Sequence, residues 1–144
     1  MLGRYYPGQT CSAASALELV GERWSLLILR DALFIGHKRF SDFERSLGIA
    51  PNILSKRLET FVANGLMELR TAPGEPREYH LTQKGRDLKA VIMALNNWGD
   101  RWLRAGPIDY VHKSCGGMVR QTLTCETCAT EVPLDEVGAR RRKA

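Results

Sequence analysis

The sequence predicts a mainly α-helical fold with one small β-hairpin (α+β), and three observations carry that expectation. Between Ser12 and Phe61, apolar residues recur at helical spacing in successive stretches separated by glycines. From Leu66 to Leu81 the period changes to strand-like alternation around Pro73-Gly74-Glu75-Pro76, a turn composition. After Thr82 the helical period returns and runs as far as Trp102.

The first helix carries Ala13, Ala16, Leu17 and Val20, and Gly21 interrupts it. A second runs through Trp24-Ser25-Leu26-Leu27-Ile28-Leu29-Arg30-Asp31-Ala32-Leu33 and ends at Gly36. It is apolar around most of its girth, as a buried central helix would be. Phe40, Phe43 and Leu47 form a stripe on a short third helix, with Ser41 a candidate cap. Gly48-Ile49 makes a turn. The fourth helix opens near Ala50-Pro51, since proline suits a first helical turn, and buries Leu54, Leu58 and Phe61. Asn64-Gly65 stops it. Leu66 to Arg70 and Glu78 to Leu81 are the two strands. Thr82 then caps one long helix bearing Leu88, Val91, Ile92, Leu95, Trp98 and Trp102. The rest of the chain holds three of the four cysteines and the basic run Arg140-Arg141-Arg142-Lys143. The expected organisation is a helical domain over 10–104, a small Cys/His tail over 107–134 and a flexible basic terminus over 135–144.

Composition excludes some classes. The charged fraction of 26% and hydrophobic fraction of 44% are ordinary for a soluble domain. No apolar run approaches the ~20 residues of a membrane span. The start, Met1-Leu2-Gly3-Arg4-Tyr5-Tyr6, has no stretch of signal-peptide length, so the expected compartment is the cytoplasm. A net charge of +5 suits a polyanion partner.

Two short helices joined at a glycine turn and followed by a hairpin form a winged helix-turn-helix. The second helix of such a pair offers its polar face to the major groove of double-stranded DNA. With Leu54, Leu58 and Phe61 inward, Asn52, Ser55 and Lys56 face outward as base readers. Asparagine bonds adenine in a bidentate way, and lysine reaches guanine or phosphate. Arg57, beside Leu58, reaches either a phosphate or an acidic partner within the fold. Lys38, Arg39 and Arg45 flank the surface, and Arg70 and Arg77 frame the hairpin tip as phosphate anchors. Each residue alone reads as solvated surface; their coincidence on one face favours DNA.

Several of these segments resemble HxlR-type regulators. They are Cys11 with Ala16-Leu17-Glu18-Leu19-Val20-Gly21-Glu22-Arg23-Trp24-Ser25, Arg39-Phe40-Ser41-Asp42-Phe43, Leu54-Ser55-Lys56-Arg57-Leu58, and Tyr79-His80-Leu81-Thr82-Gln83-Lys84-Gly85. The resemblance implies a winged helix homodimer paired through its terminal helices, and a transcription regulator rather than an enzyme. Arg77 departs from it, because the family more usually has an apolar residue there; core and DNA both stay open for this side chain. The apolar set of the last helix suits dimerisation, and two-fold symmetry would match an inverted repeat. Folding of that helix back on its own domain is the other reading.

His112-x2-Cys115 and Cys125-x2-Cys128 have the spacing of metal knuckles, and together they predict one tetrahedral zinc. The alternatives are reduced free thiols or a Cys125–Cys128 redox pair. Cys11 lies at a helix start, where the dipole favours a reactive thiolate. Resemblance makes it a candidate sensor of oxidants or electrophiles; a structural cysteine at a dimer contact fits equally. His37 and His80 have no evident partner in the sequence. Two other functions compete with a DNA-binding regulator: a thiol–disulfide oxidoreductase at Cys125 and Cys128, and a winged interaction module without DNA. No βαβ pattern surrounds the cysteine pair, against the first. The basic face at Lys56, Arg57 and Arg70 argues against the second.

Overall fold

A computed structural model describes residues 5–144, so the reading of Met1 to Arg4 lies outside the described residues. The chain divides into two compact units, 1–96 and 97–144. None of the described helices is long and apolar enough to cross a membrane.

In the first unit the helices are α1 (Ser12–Val20), α2 (Ser25–Arg30), α3 (Phe40–Leu47) and α4 (Pro51–Ala63). Strands β1 (Met67–Arg70) and β2 (Glu78–Leu81) follow, then a short α5 (Gln83–Arg86) and the start of α6 (Lys89–Trp102). One core joins them. Ile28 and Leu29 of α2, Phe43 of α3 and Leu54, Leu58 and Phe61 of α4 are all fully buried. At roughly 1.5–3 kcal/mol for each large apolar side chain, this cluster dominates the folding of the unit. The inward stripe expected for α4 is therefore present.

Two local devices hold the helix pair. Gly48 ends α3 at φ +61°, a left-handed conformation that costs other residues energy, and turns the chain toward Ile49. Pro51 then occupies the first turn of α4, where its missing N–H is not needed. Ser41 is not a cap. It lies within α3, whose first turn is preceded by Arg39 in extended conformation with no side-chain cap. The second helix is also not uniformly α-helical or buried. From Asp31 to Ile35 it widens into a π turn, and Leu27, Phe34 and Ile35 are exposed. The cause is Asp31, whose carbonyl accepts from Gly36 N–H at 2.9 Å and His37 N–H at 3.2 Å. Its buried carboxylate accepts from Arg30 Nη2 at 2.8 Å and from Ser46 Oγ at 2.6 Å. This fixes the exit of the chain toward Lys38 and α3.

The strands pair antiparallel, with Met67 opposite Leu81 and Arg70 opposite Glu78. Tyr79 N–H donates to Lys38 carbonyl at 2.7 Å, tying the hairpin to the segment before α3. Thr82 caps as expected, accepting from Gly85 N–H at 3.2 Å. Gly85 is required for a different reason: a Cβ there would run into the carbonyl oxygen of Leu66. The long helix expected after Thr82 is present over 83–102, interrupted near its start by a turn at Asp87–Leu88 that divides it into α5 and α6.

The second unit contains the end of α6, where Gly106 N–H donates to Asp100 Oδ1 at 2.8 Å. Beyond it lie two isolated bridges, Val111 with Met118 and Thr124 with Glu131, and a 3-10 turn at Leu134–Glu136.

Candidate nucleic-acid interface

Helix α4 presents Asn52 and Lys56 to solvent, with Ser55 half-buried between them. The inward set Leu54, Leu58 and Phe61 forces this outward set, because α-helical spacing alternates the faces. Ser55 Oγ donates to Glu59 Oε1 at 3.3 Å on the same helix.

Lys38, Arg39, Arg70 and Arg77 are also exposed. Lys38 and Arg39 precede α3, and Arg70 ends β1. Arg77 leads into β2 from the loop and is solvent-facing, whereas Tyr79 and Leu81, of the same parity, pack on the core. Arg39 Nη2 approaches Glu78 at 3.8 Å, and Arg70 Nη2 approaches Glu68 at 3.7 Å. Exposed pairs at such distances contribute ~0–1 kcal/mol, so neither fixes its arginine. The Glu78 carboxyl is held below its usual range, first by its hydrogen bond with His80 and then by the charges of His80, Lys38 and Arg39. Arg45, which flanks this surface, pairs with Asp42 at 3.0 Å.

For Arg57, of its two expected partners the structure shows the acidic one. The Arg57 side chain is only 11% exposed and forms an ion pair with Glu22, from the chain between α1 and α2. A guanidinium engaged in this way ties α4 to the segment between α1 and α2. Arg86, which sequence reasoning did not single out, is not among these expected DNA contacts. It lies on α5 near the hairpin, with Nη1 donating to Leu81 carbonyl at 2.8 Å. The periodicity of the long helix gave no signal for it.

The zinc expectation is overturned. Among the described residues, no three histidine, cysteine, aspartate or glutamate side chains come together in a group able to hold a metal. His112, Cys115, Cys125 and Cys128 form two separate turns. In the first, Gly116 N–H donates to His112 carbonyl at 2.7 Å, and Cys115 Sγ lies 3.3 Å from His112 Nδ1. In the second, Ala129 N–H donates to Cys125 carbonyl at 2.9 Å, and Cys128 Sγ lies 3.1 Å from Thr130 Oγ1. That hydroxyl, and then the Cys125 thiol, holds the Cys128 thiol below its ordinary range. The C-x2-C and H-x2-C spacings shape each turn locally; they do not make the two turns converge.

Cys11 is exposed and caps α1, its Sγ accepting from Ala14 N–H at 3.4 Å. Of the apolar stripe Ala13, Ala16, Leu17 and Val20, Val20 is buried and the other three face solvent.

A helix pair turned on Gly48, a following hairpin and an outward basic face define a winged helix-turn-helix protein. The chain belongs to the HxlR-like helix-turn-helix family, which matches residues 19–107. It is 44% identical over 126 residues to HTH-type transcriptional regulator Rv3095 of Mycobacterium tuberculosis, spanning 84% of this chain and 79% of that one. The crystal structure of PA1607, described as a transcription factor, superposes with a TM-score of 0.83 at 34% identity, covering 94% of this chain and 97% of that one. The reduced form of the transcriptional regulator YodB of Bacillus subtilis superposes with a TM-score of 0.55 at 32% identity, over 68% of this chain and 99% of that one. Family membership makes the chain a sequence-specific DNA-binding regulator with no catalytic role.

Proposed function

We propose that the chain acts as a homodimer that binds an inverted repeat in double-stranded DNA through the domain spanning 10–104. Each α4 enters a major groove. Asn52, Ser55 and Lys56 read bases, while Lys38, Arg39, Arg70 and Arg77 anchor phosphates; Arg57 serves only as a brace. The observation that supports this most is the outward set on α4, in a unit that also exposes Lys38, Arg39, Arg70 and Arg77. Pairing of two copies is supported by bare apolar side chains. Val91 and Leu95 in the first unit are 48% and 54% exposed, and Trp98 and Trp102 in the second are 56% and 62% exposed. A helix face this apolar is costly in water and suits a partner.

Asn52→Ala tests the reading. Loss of a bidentate base contact costs roughly 1–3 kcal/mol of discrimination. Competition binding against random duplex should therefore show reduced preference for the operator, with non-specific affinity kept. A variant that discriminates as well as the parent means the wrong face of α4 was assigned.

Cys11 is proposed as a redox sensor. YodB has been solved in reduced, diamide-treated and quinone-bound forms, so that relative has been treated with an oxidant and an electrophile. In this chain a peroxide would transfer one oxygen to the Cys11 sulfur as its O–O bond breaks, giving a sulfenic acid and releasing water. The changed sulfur would disturb the α1 cap beside the exposed Ala13, Ala16 and Leu17. Under mild peroxide, operator affinity of the parent should fall while that of Cys11→Ser holds. Equal loss in both proteins assigns the sensitivity elsewhere.

A further inference from the structure

Against the hairpin, the first unit has a half-open cavity of about 240 Å³. His37, Lys38, Arg70, His80 and Arg86 line it, and no carboxylate does. These side chains come from the segment before α3, from both strands and from α5. The hydrogen bond from Tyr79 N–H to Lys38 carbonyl, 2.7 Å long, holds the hairpin wall against the segment wall. Arg86 is positioned by its bonds to Leu81 carbonyl and, at 3.2 Å, to Gln83 Oε1, and a guanidinium has five N–H donors in all.

One feature points to a ligand. Lys38, Arg70 and Arg86 gather with no carboxylate lining the space between them. The nearby carboxylates are engaged outside it, Glu78 by His80 Nε2 at 2.7 Å and by Arg39, and Glu68 by Arg70 at 3.7 Å. Lysine and arginine only donate. An occupant of this space accepts hydrogen bonds and carries negative charge.

We propose that this cavity binds a small free anion bearing a carboxylate or a phosphate, and that its occupation opposes DNA binding. The second part rests on the assignment of Lys38 and Arg70 as phosphate anchors. An anion between them neutralises the charge that the duplex would otherwise use, and by linkage the duplex weakens the anion equally. A DNA phosphate shares the ligand chemistry, so the test separates the two sources.

Inorganic phosphate and benzoate are titrated into the full chain at constant ionic strength, with chloride as the reference. The imidazole NMR signals of His37 and His80 report occupancy. At least one probe should shift both signals to saturation without DNA, and the same probe should weaken binding to duplex roughly tenfold, within the usual range of coupling. Arg86→Gln should weaken probe binding at least tenfold while leaving DNA affinity within twofold, because Arg86 is outside the proposed DNA face. His37→Gln, which removes no backbone brace and is read on the His80 signal alone, should weaken probe binding likewise if Arg86→Gln fails to fold. Signals that follow chloride equally, respond only to duplex, or are unchanged in the folded variants overturn the anion site. A chain that takes the probe but binds no DNA keeps the site and overturns the DNA reading instead.

Discussion

Replacing Arg57 with Met should lower folding stability by roughly 2–3 kcal/mol while leaving the salt dependence of DNA binding unchanged. Removing one member of an ion pair costs about 3–5 kcal/mol when burial is complete, and less here because Glu22 keeps other interactions. Glu22 is 35% exposed and can regain some water, which reduces the cost. For a domain of this size the loss corresponds to a fall of about 10–20 °C in Tm. The double variant Arg57→Met with Glu22→Leu removes both charges and should recover most of it. Thermal unfolding followed by circular dichroism measures each step. An unchanged Tm together with a salt slope flattened by about 0.9 would instead place Arg57 on a phosphate.

Neutralising Lys38, Arg70 and Arg77 together, each to Gln, should have the opposite pattern. The three side chains are exposed, so folding should change little. DNA affinity should fall on every sequence, because phosphate contacts carry no base information. Each lost contact removes about 0.9 from the slope of log affinity against log salt, or about 2.7 for three. A fourfold rise in salt should then weaken the parent about forty times more than the variant. Anisotropy titrations at two salt concentrations read this directly. Parallel slopes would mean that these cations lie away from the duplex.

The contrast between Arg57 and its neighbour Lys56 shows what the sequence could and could not convey. Periodicity placed both on α4 and identified Leu54, Leu58 and Phe61 as inward, because a helix buries one stripe whatever it packs against. The start at Pro51, the stop at Asn64-Gly65, the hairpin and the Thr82 cap were legible for the same local reasons. Whether Arg57 met a phosphate or a carboxylate depended on Glu22, distant in sequence, and local pattern does not encode that meeting. The π turn has a similar origin: Asp31 is buried against Ser46 of α3, a tertiary contact. The turn between α5 and α6 was hidden because Gln83 to Asp87 carries no apolar side chain whose spacing could reveal it, and the stripe begins only at Leu88. The basic cavity was illegible for the same reason as the Arg57 pair, since His37 and Arg86 come together only through the hairpin. In the tail, local spacing correctly suggested turns and wrongly suggested their convergence on a metal.

Selection of bound duplexes from a random pool by the purified, reduced chain tests the central claim most directly. The expected result is enrichment of an inverted repeat whose half-sites lie about one helical turn apart, ~34–36 Å, as two α4 helices related by two-fold symmetry require. Asn52→Ala should recover the same spacing with a degenerate position in each half-site. A pool that shows no enrichment after repeated rounds, or that yields only a single unrepeated half-site, would contradict the dimeric reading of DNA through α4.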